Sequence, residues 1–254
     1  MTIKIERLST ANQPAETHDK TSPPGMEASD FHSNPKNSVF LKAEFRHALA
    51  REFRLEAVNL YTEVNNQSLI IPAFRKYSGQ NQTLIIGAGF DKTGDIPLPP
   101  GISFADCINT LTKQLKARKQ EPVTQLEVRS KHFIPALKDH SDKTELVMQH
   151  SMPSSEFMMT FSKYTRRNIR MPFNRGFHFE ISTEQHHLDT FYALYLKQIH
   201  GLGSLPNSYV FFQELWEKCR DNINLFIGYM DEKPVVASFQ LLSDDEVYGA
   251  WSGI

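Results

Sequence analysis

The chain has 254 residues, 28 basic and 29 acidic, with a formal net charge of −1; 40% of it is hydrophobic and 22% charged. That apolar share supplies a core for one large domain or two small ones and excludes a chain that is disordered throughout. The near-zero charge excludes an unspecific nucleic-acid binder, and two cysteines, Cys107 and Cys219, exclude a disulfide scaffold or a CxxC zinc site.

Both thiols are expected to be buried in a reducing compartment. The N-terminus MTIKIERLST lacks the apolar stretch of a secretory signal. The apolar runs SLIIPAF, TLIIGAGF and KPVVASFQLL are far short of the ~20 residues that span a bilayer. The expectation is a cytoplasmic protein with no membrane span.

Residues 1–37 read as a disordered tail, because the stretch 9–38 holds four prolines and one aromatic residue, Phe31. Ser38 is placed to cap a helix over VFLKAEFRHALAREF, with Leu41, Phe45, Ala48 and Leu49 at helical spacing. RLEAVNLYTE and SLIIPAF read as strands joined at Asn65-Asn66, two residues that tolerate positive φ. Pro72 predicts that the second strand ends, bulges or lies at an edge there. TLIIGAGF (83–90) reads as a buried strand. Ser103 opens a helix carrying Phe104, Ile108, Leu111 and Leu115 on one face, and VTQLEV and TELVMQH (144–150) read as further strands.

A second block begins near Ser151. It reads as one helix from Ser154 to about Met171, a strand FHFEI (177–181), a helix from Thr183 to His200, and another from Tyr209 to Cys219. Three strands follow, NLFIGYM, KPVVASFQLL and EVYGAWSGI, with tight turns at Asp231-Glu232-Lys233 and Ser243-Asp244-Asp245. An antiparallel meander leaves the last of them as an apolar edge.

FMMTFSKYTRRNIR (157–170) carries the sharpest signal. Lys163, Arg166, Arg167 and Arg170 fall within an arc of roughly 100° on a helix, opposite Phe157, Phe161, Tyr164, Thr165 and Ile169. With Arg175, five basic residues and no acid lie between Glu156 and Glu180. Like charges on one face repel, so an anionic partner and a solvated helix face both stand as readings.

FSKYTRRNIRMPFNRG resembles the basic helix of the FemAB-like acyltransferases, whose pattern runs Arg-Arg-x-Ile-Arg-Lys-Ala toward a glycine. These tandem GNAT proteins are related to the peptidoglycan bridge-forming aminoacyltransferases. SLIIPAF, LIIGAGFDKTGDIPL, LDTFYALYLKQIHGLGSLPNSYVFFQELWE and INLFIGYMDEKPVVASFQLLSDDEVYGAWSG resemble further segments in order and spacing, from about Ser38 to Ile254. The resemblance implies an α/β (α+β) fold of two GNAT-like modules with mostly antiparallel mixed sheets flanked by helices. The first module is expected over 38–150 and the second over 151–254.

It further implies transfer of an acyl or aminoacyl group to an amine. Acyl-CoA or aminoacyl-tRNA is the donor, and a small-molecule or cell-wall-precursor amine is the acceptor. Lys163, Arg166, Arg167 and Arg170 are the candidates for binding an anion, either acceptor phosphate or donor RNA, and Asp91 and Asp95 for polar contacts near the acceptor.

Two departures carry expectations. Met171-Pro172 stands where the family has Lys-Ala, so the helix is expected to end or kink a turn early. EVYGAWSGI corresponds to the fourth strand of a GNAT module, so the second module is expected to be incomplete, a truncated frame or fragment without the donor-phosphate loop.

The alternative reading is therefore a non-catalytic acceptor-binding protein or an inactive fragment lacking the donor site. A third, an RNA binder using the basic helix, is disfavoured by the neutral total charge. No HxxxH or HExxH spacing is present and His186-His187 are expected on different sides of a helix, so no metal site is expected. No residue pattern identifies a catalytic base.

Overall fold

A computed structural model describes residues 4–7, 38–87, 96, 98–117, 123–130, 134, 137, 148, 154–182, 184–243 and 246–254. It is a mixed α+β protein with two sheets, divided into two compact units. The first comprises residues 1–141 with 217–219, and the second residues 142–216 with 220–254.

In the first unit a five-stranded sheet has the order β1 (Lys4–Arg7), β2 (Glu56–Val64), β3 (Gln67–Ser78), β4 (Asn81–Ile86), β5 (Gln125–Val128). All pairs are antiparallel except β4–β5. The pairing of Lys4–Arg7 with Val58–Tyr61 corrects the expectation of a tail throughout 1–37, since β2 offers these residues a free edge of backbone donors and acceptors. Asn65 and Asn66, at φ 51° and 61°, close the β2–β3 hairpin as a type I′ turn.

Pro72 lies inside β3, between two neighbours, contrary to the expected end, bulge or edge. Counting from the tight β2–β3 turn, the Asn59–Pro72 pair is a non-hydrogen-bonded one, so the proline nitrogen faces away from β2. On its other side the β4 ladder has already stopped at Ala73–Ile86, so no donor is missed.

The helix expected from Ser38 divides into a short 3-10 turn at Val39–Leu41 and α1 (Ala43–Glu52). α2 (Phe104–Ala117) starts where Ser103 Oγ accepts the Asp106 N–H, and it buries Phe104, Cys107, Ile108, Leu111 and Leu115. These pack with Val58, Leu60, Leu69, Ile71, Ala73, Leu84 and Ile86 from one face of the sheet. α1 sends buried Arg46 over the Phe74 ring, with its guanidinium donating to the carbonyls of Val58 and Ala73 and to Asn59 Oδ1. Burial lowers this guanidinium to about 10, so it stays charged at neutral pH. Cys107 is buried as expected, and its thiol is pushed up to about 11 by that burial. β4 ends at Ile86; residues 88–90 of the expected strand, and all of 144–150 except Met148, lie outside the described residues.

The second unit holds an antiparallel sheet in chain order, β6 (His178–Ser182), β7 (Ile223–Met230), β8 (Lys233–Ser243), β9 (Glu246–Gly253). Asp231 and Glu232 at φ 50° and 59° form the β7–β8 turn, whereas residues 244 and 245 of the β8–β9 turn lie outside the described residues. α5 (Gln185–Gly201) and α6 (Tyr209–Lys218) cover one sheet face through aromatic packing. Phe212 meets Phe191 at 5.0 Å, Trp251 at 5.3 Å and Phe239 at 5.5 Å. Gly253 passes against α5 so closely that a Cβ there would lie 2.3 Å from the Leu194 and Tyr195 backbone.

The single helix expected over 154–171 is broken into α3 (Ser154–Thr160) and α4 (Lys163–Phe173). Ser162 at the break has extended ψ and its hydroxyl accepts the Thr165 N–H, so a new N-cap forms there. Arg166 Nη1 reaches back to the carbonyls of Met159 and Phe161, which α3 leaves without intrahelical partners. α4 runs through Pro172 to Phe173 instead of stopping a turn early. Pro172 sits in the last turn, where its carbonyl accepts from Arg175 and Phe177 and ties the helix end to the following turn.

Two predictions follow from these contacts. Gly253→Ala should lower stability by about 1–3 kcal/mol, because the clash is with backbone and cannot be relieved by a rotamer change; Gly249→Ala, which meets nothing within 4 Å, should be near neutral. Ser162→Ala should cost about 1 kcal/mol, read from the urea midpoint at constant slope.

Candidate functional site

α4 presents Lys163, Arg167 and Arg170 to solvent in consecutive turns, and none of its residues is fully buried. The expected division into a basic and an apolar side is thus only partial: Tyr164 is 73% exposed. The four basic residues do not act alike. Arg166 is engaged with the end of α3, whereas Lys163, Arg167 and Arg170 form no ion pair among the described residues. Lys163 also stands in the first turn, where the positive end of the helix opposes it, and no acid is present there to offset either charge. Three cations held on one face therefore raise the local potential, and an incoming phosphate or carboxylate relieves it.

Beyond α4 the chain turns through Gly176 into β6. Gly176 faces Asp231 of the β7–β8 turn, and the Phe177 ring closes over Gly228. The C-terminal end of α4 and the β7–β8 turn therefore share one end of the sheet with His178 and Tyr229, which pair across β6 and β7 and stack at 5.2 Å.

A polar cluster extends from that end toward α5. Tyr229 Oη donates to Glu180 Oε1 at 2.8 Å, and His187 Nε2 lies 3.1 Å from both of those atoms. His187 Nδ1 meets Ser182 Oγ at 2.5 Å, and Ser182 Oγ accepts the Glu184 N–H at 3.0 Å. With one serine lone pair taken by that N–H, the hydroxyl proton is free to point at Nδ1; neutral His187 then carries its proton on Nε2, toward Glu180. Burial first, and then Glu180, pushes the Tyr229 phenol up to about 12, so it remains a donor at neutral pH.

The sequence reading did not reach this cluster. His186 and His187 take different sides as expected, His186 toward Glu184 and His187 toward the sheet, with their rings 3.9 Å apart. A period-two reading puts Glu180 and Ser182 on one face of a strand, but only the β6–β7 register brings in Tyr229, 49 residues from Glu180. Asp91 and Asp95 lie outside the described residues. Among the described residues no group of three or more His, Cys, Asp or Glu has the geometry to hold a metal.

Residues 160–254 match the family model of an acetyltransferase (GNAT) domain. The crystal structure of FemX is similar to the chain, with a TM-score of 0.61 at 11% identity, over 89% of this chain and 77% of that one. At that identity the likeness is one of fold. None of the curated proteins matches the chain by sequence. No described helix is long and apolar enough to cross a membrane. The chain is thus similar in fold to FemX, and its residues 160–254 match the GNAT-type acetyltransferase domain, a class of acyl-transfer domains.

Proposed function

We propose that the protein is an N-acyltransferase or aminoacyltransferase that acts on an amine of an anionic acceptor. The observation that carries this is the GNAT match over 160–254, a span that contains the α4 cations that form no ion pair among the described residues. The acceptor phosphates lie along Lys163, Arg167 and Arg170, with guanidinium forks suited to phosphate oxygens. Arg166 contributes through the helix junction it holds. Asp91 and Asp95 belong to the same proposal as polar contacts to the acceptor, and each of the two units corresponds to one GNAT-like module.

Acyl-CoA, the donor that GNAT domains use, is the first donor to test, and aminoacyl-tRNA the second. The similarity to FemX in fold directs the choice of acceptor toward cell-wall precursors. The chemistry needs no covalent enzyme intermediate. A neutral amine attacks the activated carbonyl, and catalysis consists of alignment, stabilisation of the developing oxyanion and removal of one proton.

The test uses acetyl-CoA with a nucleotide-linked muramyl peptide bearing a free lysine amine, followed by thiol release. The double variant Arg167→Glu/Arg170→Glu should keep the native circular dichroism, since both side chains are exposed and unpaired among the described residues. Its KM for the acceptor should rise by about tenfold or more, with a flatter salt dependence. An unchanged acceptor KM leaves the ridge as a solvated surface. Acceptor binding by thermal shift without turnover, on either donor, leaves a binding protein.

A further inference from the structure

We infer that the carboxylate of Glu180 takes the proton from the attacking amine, with Tyr229 and His187 as the residues that position it. The inference rests on the acyl-transfer reading above and deepens it, because that reading requires a base and the α4 ridge supplies none.

Three groups in the cluster could accept a proton, and the geometry separates them. His187 is 14% exposed at its side chain, with Nδ1 engaged by the Ser182 hydroxyl and Nε2 by Tyr229 and Glu180. Tyr229 is protonated at neutral pH and directs its proton to Glu180. Glu180 is 47% exposed; Oε1 receives Tyr229 and faces His187 Nε2, and Oε2 engages no group among the described residues. One oxygen is therefore held by the Tyr229 hydroxyl beside His187, and the other engages no group among the described residues. This is the arrangement of an oriented base, not of a surface carboxylate free to rotate.

Position supports the assignment. Glu180 follows α4 by a short turn, and its partner Tyr229 stands at the sheet end that meets the Gly176 turn. Among the described residues, other charged or titratable groups around the cluster are His178 on β6, Glu232 in the β7–β8 turn, Glu184 before α5 and His186 on it. Glu184 is held by His186 on the far side of His187, so it does not compete for the open position.

In the step, the amine nitrogen forms a bond to the acyl carbon and the carbon–sulfur bond of the thioester breaks after addition (the carbon–oxygen bond for an aminoacyl ester). The nitrogen gives up one proton to Glu180 Oε2. The thiolate or alkoxide leaves with the bond electrons and is protonated in turn by Glu180 or by solvent. The products are an amide and a free thiol or hydroxyl, and the carboxylate is restored.

The experiment measures kcat/KM against pH with acetyl-CoA and the lysine-bearing nucleotide-linked peptide. It compares the full chain with Glu180→Gln, Tyr229→Phe and His187→Gln. Glu180→Gln, nearly identical in shape, should lose about 10²-fold or more in kcat with little change in acetyl-CoA KM, and the limb set by the enzyme base should vanish while that of the substrate amine remains. Tyr229→Phe should lower kcat by less than Glu180→Gln while leaving the acetyl-CoA KM unchanged, because the carboxylate remains but loses the hydroxyl that orients it. A purely structural tyrosine would change stability without that selective loss of kcat. His187→Gln, which retains a donor, should lower kcat less. If the unchanged chain turns over and Glu180→Gln does so equally, with the same pH profile, the assignment of Glu180 is overturned and the transfer reading stands. If the unchanged chain transfers to no acceptor from either donor, the transfer reading and the assignment fail together.

Discussion

The second unit depends on one packing event, the interlocking of aromatic rings between two helices and a sheet. Phe191 from α5, Phe212 from α6, and Phe239 and Trp251 from β8 and β9 form a continuous edge-and-face cluster, with Phe191, Phe212 and Phe239 fully buried. Side chains of that size carry most of the transfer free energy available to a small sheet, and their rings constrain the helix azimuth as well. Gly253 lets α5 settle at the depth the cluster needs. Once α5 is fixed, His187 at its first turn can only face β6 and β7. A polar network of defined geometry thus rests on an apolar one.

A second physical theme is the treatment of charge. The first unit encloses a guanidinium, Arg46, without a carboxylate partner among the described residues, and gives its two terminal nitrogens two backbone carbonyls and an amide oxygen. Its burial carries a desolvation cost that the hydrogen bonds and the adjacent Phe74 ring offset in part. The second unit does the opposite: it leaves three cations of α4 in water without counter-charges among the described residues. The buried cation has a role within the fold. The exposed ones have no fold contact among the described residues, which is why they are the ones proposed for recognition.

Local signals in the sequence were read well where a single turn or face decides the outcome. Asn65-Asn66, Asp231-Glu232 and the Ser103 cap each specify backbone geometry with two or three residues, and the apolar spacing of Phe104, Ile108, Leu111 and Leu115 places α2 on its sheet. The readings failed where the outcome depends on a partner distant in the chain. Periodicity through 154–171 is continuous, and nothing in it shows that Arg166 can replace the hydrogen bonds lost when the helix breaks at Ser162. The same limitation hid the base candidate. Glu180 and His187 are seven positions apart in elements of different period, and Tyr229 joins them only through strand register. The basic ridge was visible because it lies on one helix. The carboxylate cluster was invisible because it is made by three elements.

The proline in β3 has a consequence for how far the first sheet can grow. Its nitrogen faces the side on which β4 has ended, so a longer β4 would find no donor waiting at that position. The residue thus offers no N–H with which to extend the ladder of β3 and β4 past Ala73–Ile86. Evolution can lengthen or rewrite the connection that departs there without altering the strand that launches it, because the point of departure is written into a neighbouring strand.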